Sequence, residues 1–329
     1  MRGIFMKKLL SLLLMLLFMF GLCGCGKSSD KIVIYTCQEE ERIQAMKAEL
    51  EKKFPDLNVV VEQMGTGNLA AKIKSEGTGI EADIIIDLES SHMKNLKDNF
   101  ADLSGYDTSV YLDGVNPSHN RYVLWVKNHA AITIDKAYFD EKGWEYPTSY
   151  EDLLDPKYEG LIAMPDPTTS GTGYAYYLNM VNIKGEAGAL EYFKELTKNI
   201  KQYTQSGSGP ISLLKQGEIA IAMGMEFQGA AEITNGSDYL LIELESGAPY
   251  NLTGSAIISG REDKEGIKEL FQWIITDFHY IDCEEFVPGK LLKDQNTKLA
   301  NFVDMKDADM TGVDNIALKE ELLGKWDLS

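Results

Sequence analysis

Short β-rich runs alternate with amphipathic helical stretches from residue 31 onward, and this alternation most narrows what the chain can fold into. Residues 31–35 (KIVIY) read as a strand. Ile43, Met46, Leu50 and Phe54 follow at spacings of three and four, which marks one face of a helix, and Pro55-Asp56 ends it. Residues 57–63 and 82–88 read as further strands, with a short helix over 68–74 between them. Strands joined by single helices need a parallel sheet covered by helices, so the expected class is α/β. The pattern recurs downstream. Strands are expected over 122–135, 161–164, 219–224, 239–245 and 252–259, and helices over 150–154, 173–181, 186–199, 210–215 and 265–278. Beyond 278 the sequence reads as helix-rich to its end.

The first residues carry a separate signal. Arg2, Lys7 and Lys8 precede an apolar run over 9–20 that only Ser11 interrupts. A membrane-spanning helix needs about 20 apolar residues, so this shorter run reads as an export signal. It ends Leu22-Cys23-Gly24-Cys25, which resembles a bacterial lipobox. The resemblance implies that residues 1–24 are removed, that Cys25 is lipidated, and that 25–30 form a polar tether holding the domain outside the membrane. Cys37 and Cys283 then remain and are expected as free thiols. The formal net charge is −19, from 51 acidic and 32 basic residues. Nucleic-acid binding calls for basic patches, so this balance argues against it.

Five blocks together resemble the type 2 solute-binding proteins of ABC importers, in the branch that includes ferric-iron, phosphonate, sugar-phosphate and thiamine binders. They are KIVIYT at 31–36, ADIIID at 82–87, TSYEDLLDPKYEG at 148–160, PDPTTSGTGY at 165–174 and LLKQGEIAIAMG at 213–224. The resemblance implies two lobes, each a mainly parallel sheet flanked by helices, joined by a two-strand hinge. Lobe 1 would comprise 31–132 plus 248–329, and lobe 2 would comprise 133–247, with crossings near 130–135 and 244–252. It further implies a monomer that holds a small molecule between the lobes and presents it to permease subunits, with no cofactor.

Candidate ligand residues follow from the loops after strands, because open α/β sheets bind ligands beyond strand carboxyl ends. Ser170, Gly171, Thr172 and Gly173 stand between a strand and a helix. Glycines allow close approach, hydroxyls donate, and a helix start offers free N–H groups, which together suit an anion; helix capping is the competing reading. Thr36 and Cys37 end the first strand, and Glu89 and Ser90 end the third, where Ser90 could instead cap a helix. Thr66 follows the second strand. Ser206 and Ser208 lie in a Gly/Ser stretch that reads as a connector or, by the resemblance, as a loop that reaches the cleft. Glu226 follows the 219–224 strand where the resemblance implies ligand groups, and either pairs with a ligand ammonium or hydroxyl or is an exposed loop residue.

Ferric-binding relatives commonly carry adjacent tyrosines shortly after the GEIA-type strand, where this chain has Met223-Gly224-Met225-Glu226-Phe227-Gln228. The four histidines (His92, His119, His129, His279) show no metal-ligand spacing, and no metal site is expected. GxSxG, HExxH and P-loop motifs are absent from the sequence, so no enzyme is expected. An anion cradle and an acid together suit a phosphonate such as 2-aminoethylphosphonate, or a sugar phosphate. Ferric ion, thiamine, a polyamine or a sensor role are the alternatives.

Overall fold

Alternation along β1 (Ile32–Thr36) decides the first layer of structure. In the computed structural model, which describes residues 31–328, Ile32 and Ile34 face one core with Ile43, Met46 and Leu50 of α1 (Glu40–Lys53). Val33 and Tyr35 face the opposite core with Leu69 and Ile73 of α2 (Thr66–Glu76). Side chains of a strand point alternately to the two faces, so a strand apolar at every position must be covered on both. The export signal, Cys25 and the tether lie outside the described residues.

β1 pairs in parallel with β2 (Val59–Gln63) and β3 (Ile84–Glu89). At the other end of the sheet, β5 (Ile162–Pro165) pairs in parallel with β6 (Ile200–Thr204) and β7 (Ile221–Met225). Between these groups the pairing is antiparallel, made by β4 (Val123–Asp135), β8 (Tyr239–Ile242) and β9 (Tyr250–Ile257). The strand order is β2-β1-β3-β9-β4-β7-β5-β6, with β8 beside β4. β4 serves both halves: Val123 to His129 pair with β9, and Ala130 to Ile134 pair with β7. The sheet is therefore parallel within each half and antiparallel where β4 and β9 join them.

The second half has its own core. Ile132, Ile162, Met164 and Ile221 pack with Tyr176, Tyr177, Phe193 and Leu196 of α5 (Gly171–Thr197). Gly185, at φ 72° and ψ 169°, breaks α5 where two separate helices are expected from sequence. The remaining helices are α3 (Ser90–Leu96), α4 (Lys136–Lys142), α6 (Gly209–Lys215), α7 (Glu226–Thr234), α8 (Ile267–Trp273), α9 (His279–Glu285) and α10 (Ile316–Gly324). Residues 274–278 form a π-helical turn between α8 and α9.

Three features depart from the sequence expectation. β6 (IKQYT) is absent from it, because an edge strand with one neighbour is half-exposed and carries no apolar alternation. Residues 286–315 contain no helix; Pro288-Gly289 interrupts, and the segment runs extended beside Ala248, with Ala248 N donating to Lys306 O at 2.8 Å. From sequence, 248–329 belongs wholly to the first lobe. Yet α10 lays Leu318 and Leu322 on the second core, and Trp326 joins them.

His279 lies at the centre of the first core. Its ring stacks on Trp125 with centroids 4.2 Å apart and planes 10° apart. Nδ1 is 3.0 Å from the Tyr111 hydroxyl, and Nε2 meets the Trp125 carbonyl. Burial pushes its pKa down to about 4 from the ordinary 6.5, against the raising effect of the Trp125 carbonyl. Between those values the unfolded chain binds a proton that the native state refuses. This contribution is complete above pH 6.5 and is lost as pH falls toward 4, by about 3 kcal/mol for a fully buried ring. Urea denaturation at neutral pH and near pH 4.5 should show His279→Gln losing less stability on acidification than the wild type. Parallel pH dependences in the two proteins would refute this assignment.

Candidate functional site

The carboxyl ends of all six parallel strands border one cleft, so each helix that follows starts there. The N-cap residues of α1, α2, α3, α5, α6 and α7 are Glu39, Gly65, Glu89, Ser170, Ser208 and Met225, and every one lines the cavity. Its volume is about 320 Å³. Only Ser170 among these six caps its helix with a side chain, its Oγ accepting from Gly173 N at 3.4 Å. The other five starts have no side-chain cap; at α6 Gly209 N is bonded to Ser206 O and Pro210 has no N–H, which leaves the first-turn N–H groups of α1, α2, α3 and α7 for a bound group.

Close approach between loops shapes the walls. A Cβ on Gly207 would lie 2.6 Å from Thr172 Oγ1, so only glycine lets the 205–208 loop close on the start of α5. A Cβ on Gly171 would lie 3.0 Å from Asn251 Nδ2 and 3.1 Å from Glu89 Oε2. The second half thus meets the first across the cleft at this glycine.

The floor is polar and partly anionic. β3 shifts register between Ile85 and Leu88, and Asp87 in that bulge has φ 65°. The bulge turns its carboxylate to Arg42 Nη1 (2.7 Å) and Thr253 Oγ1 (2.5 Å). Burial raises the Asp87 pKa to about 6, and Arg42 only partly offsets it. Burial would likewise raise Glu89, but Lys319, His92 and the Ser91 hydroxyl together outweigh it and hold this carboxyl below its usual value. Lys319 Nζ lies 2.6 Å from both Glu89 oxygens. The Cys37 thiol is pushed up by burial and by Asp87, and both Cys37 and Cys283 are free. Asn128 Oδ1 and Asn251 Oδ1 are buried acceptors with no protein partner, and both residues line the cleft.

Of the residues singled out by sequence, Cys37, Thr66, Glu89, Ser170, Gly171, Thr172, Ser206 and Ser208 line the cleft. Four others do not. Thr36 turns inward, its Oγ1 bonded to the Gln38 backbone N–H (3.1 Å) and side chain (3.3 Å). Ser90 is buried behind Glu89 at the start of α3. Gly173 packs under the loop, where a Cβ would come within 2.4 Å of Pro165 O.

Glu226 is 1% exposed and faces away from the cavity. Its Oε1 accepts from Val303 N at 3.1 Å, and its Oε2 is 3.4 Å from His129 Nδ1. Burial raises its pKa against the lowering effect of His129. Burial would lower His129, but Glu226 and Asp307 together raise it. Sequence reasoning missed Gln38, Gln63, Asp87, Asn128, Asn251 and Thr253 in the cleft wall. Strand-end position alone could have suggested Gln38 and Gln63; the others lie inside strands, with no local signal. The Glu226 assignment is checked by Glu226→Gln, which should cost about 1–3 kcal/mol by leaving buried groups unmatched. Calorimetric solute affinity should stay within about twofold; a large affinity loss at unchanged stability would return Glu226 to the ligand site.

Comparison with known proteins agrees with this architecture. Residues 53–270 match the family described as bacterial extracellular solute-binding protein. A Haemophilus influenzae protein is 25% identical over 278 residues, covering 77% of this chain and 75% of that one. The periplasmic binding protein AfuA from Actinobacillus pleuropneumoniae, solved with fructose-6-phosphate bound, superposes with a TM-score of 0.74 at 22% identity, covering 91% of this chain and 98% of that one. A periplasmic thiamin binding protein superposes with a TM-score of 0.75 at 16% identity, covering 92% and 96%. These likenesses establish the shared fold, while the family match spans most of the chain. With strand ends, helix starts and loops all converging on one solute-sized cleft, the chain belongs to the bacterial extracellular solute-binding proteins, binding components of ABC-type import rather than enzymes.

Proposed function

We propose that the cleft captures a small phosphorylated sugar, or a phosphonate such as 2-aminoethylphosphonate, for an ABC importer. The observation that carries this reading is the convergence of six helix N-caps on one cavity, five without a side-chain cap. Such ends favour a multiply charged anion that accepts several N–H bonds at once. Thr66, Ser170, Thr172, Ser206 and Ser208 supply hydroxyls around it. The opposite requirement comes from the floor, where Asn128 Oδ1 and Asn251 Oδ1 need donors. Hydroxyls of a sugar fit those acceptors, and Asp87 takes over the acidic role that sequence gives to Glu226. Among the described residues the cleft wall carries no aromatic side chain, which disfavours a thiamine ring or a phenolate-held ferric ion. The solved relative that holds fructose-6-phosphate supports the sugar phosphate over the phosphonate.

In this reading the two sheet halves are lobes that bend at β4 and β9, with boundaries near 132 and 248 and with α10 docked on lobe 2. The chain acts as a monomer tethered through lipidated Cys25. Changing Cys25 to Ser should release it from the membrane fraction; retention there would count against the anchor.

Calorimetry should detect binding of fructose 6-phosphate, and a saturating solute at about 100 times its Kd adds about 2.7 kcal/mol of stability. Thr172→Val should weaken fructose 6-phosphate, 2-aminoethylphosphonate and inorganic phosphate alike, by about tenfold or more for a hydrogen bond to a charged group. Asn251→Ala should weaken the sugar phosphate and spare inorganic phosphate. Binding of ferric citrate or thiamine, with no response to any phosphorus compound, would overturn the reading.

A further inference from the structure

The C-terminal helix touches both halves: its apolar side chains seat on the second core, while it runs beside α3 of the first half and reaches it with its charges. α10 seats Leu318 and Leu322 on the second core, and the Trp326 ring just after it lies 4.8 Å from Tyr177 and 5.1 Å from Phe193. From the same segment, Lys319 crosses to Glu89 at the end of β3, with its Nζ 2.6 Å from both oxygens. Asp314 crosses to Lys94 on α3 at 2.7 Å. Lys319 also lies 4.7 Å above the Tyr174 ring of α5. The Lys319–Glu89 pair is buried, with 9% and 5% of the side chains exposed.

The position of the pair matters. The cleft adjoins a second cavity of about 510 Å³, and Glu89, Ser170 and Gly171 border both. Lys319 borders only the second cavity, which includes no residue of β4 or β9. The pair therefore bridges the halves where the two cavities meet, with Glu89 in register with Thr253 of β9 on one side and Lys319 on α10 on the other. Bending at β4 and β9 would separate the two charges and hydrate each.

We propose that Lys319 is a positioning residue for solute capture: acting through Glu89, it latches the C-terminal helix across the cleft and keeps the closed form populated without solute. A pair made only on closing adds its free energy to the closed state whatever the solute is, so its loss weakens every solute by a common factor. Removing one partner of a buried pair penalises only the state that buries the other.

This inference rests on the two-lobe reading and not on the phosphoryl reading, and the test keeps them apart. Small-angle scattering from the full chain without any solute should give a larger radius of gyration for Lys319→Met and for Glu89→Gln than for the wild type. Lys319→Arg, which keeps the cation, should stay compact. For fructose 6-phosphate, Lys319→Met should raise Kd by about tenfold. Equal radii for wild type, Lys319→Met and Glu89→Gln would overturn the latch, even if phosphate binding is confirmed. Should Lys319→Met fail to fold, Glu89→Gln decides the question alone. Failure of every phosphorus compound to bind would overturn the phosphoryl reading and leave the scattering result to judge the latch.

Discussion

A single buried guanidinium holds the floor of the cleft in place. Arg42 is 1% exposed, and it donates Nε and Nη2 to the two oxygens of Asp282, at 2.9 and 2.6 Å. Its Nη1 donates to Asp87 at 2.7 Å and to Glu39 at 3.1 Å. Gln38 adds a further donor to Asp282 at 3.1 Å. A buried charge that loses one partner costs about 3–5 kcal/mol, so the geometry around Arg42 is strongly constrained. Those constraints tie α1 to α9 and to the bulge of β3. Asp87 is thereby held in a left-handed backbone conformation that an aspartate alone adopts only at a cost. Thr253 Oγ1 donates to Asp87 and accepts from Val126 N at 3.2 Å, beside a second register shift in β4. One ion cluster thus fixes where β3, β4 and β9 meet at the floor of the cleft.

The same cluster marks what the sequence conceals. KIVIYT and ADIIID are legible as buried strands because their apolar content leaves no other arrangement, and the break at Gly185 is legible between two amphipathic runs. The start of α5 is legible because Ser170 and the glycines around it suit a helix N-terminus and a close approach equally well, and it does both. Arg42 gives no such sign: within EERIQAMKAELEKK it reads as one more charge on a helix surface. Its burial depends on Asp282, 240 positions away. Asp87 and Thr253 enter the cleft through bulges, which shift a side chain by one position and leave no compositional trace. Glu226 is expected in the cleft because the family resemblance implies ligand groups after that strand; the first residue of α7 instead turns toward His129 and Val303. Lys319 meets Glu89 across 230 positions, which no local pattern reports.

The proposed anionic solute is less at odds with the net charge of −19 than that figure suggests. Exposed charges are screened over about 8 Å at physiological ionic strength, so the global field mostly affects encounter. Contact depends on what lies within the cleft. There the carboxylates are largely committed: Glu89 to Lys319, and Asp87 to Arg42 and Thr253. The helix starts remain uncommitted, and their N–H groups act over the distance of a hydrogen bond.

In the proposed reading selectivity follows from donors and acceptors that must both be matched within the cavity rather than from attraction of the anion alone. Inorganic phosphate would satisfy the helix starts but leave Asn128 Oδ1 and Asn251 Oδ1 buried without donors. An unphosphorylated sugar would satisfy those oxygens and leave the N–H groups facing only water or nothing as the cleft closes. Each orphaned buried group costs about 1–3 kcal/mol, which discriminates more strongly than any gain in apolar contact. A solute with an anion at one end and donors at the other meets both demands. If the proposed latch holds, closure around it also brings Lys319 to Glu89, and the state that best satisfies the solute is the state in which the protein's own charges are paired.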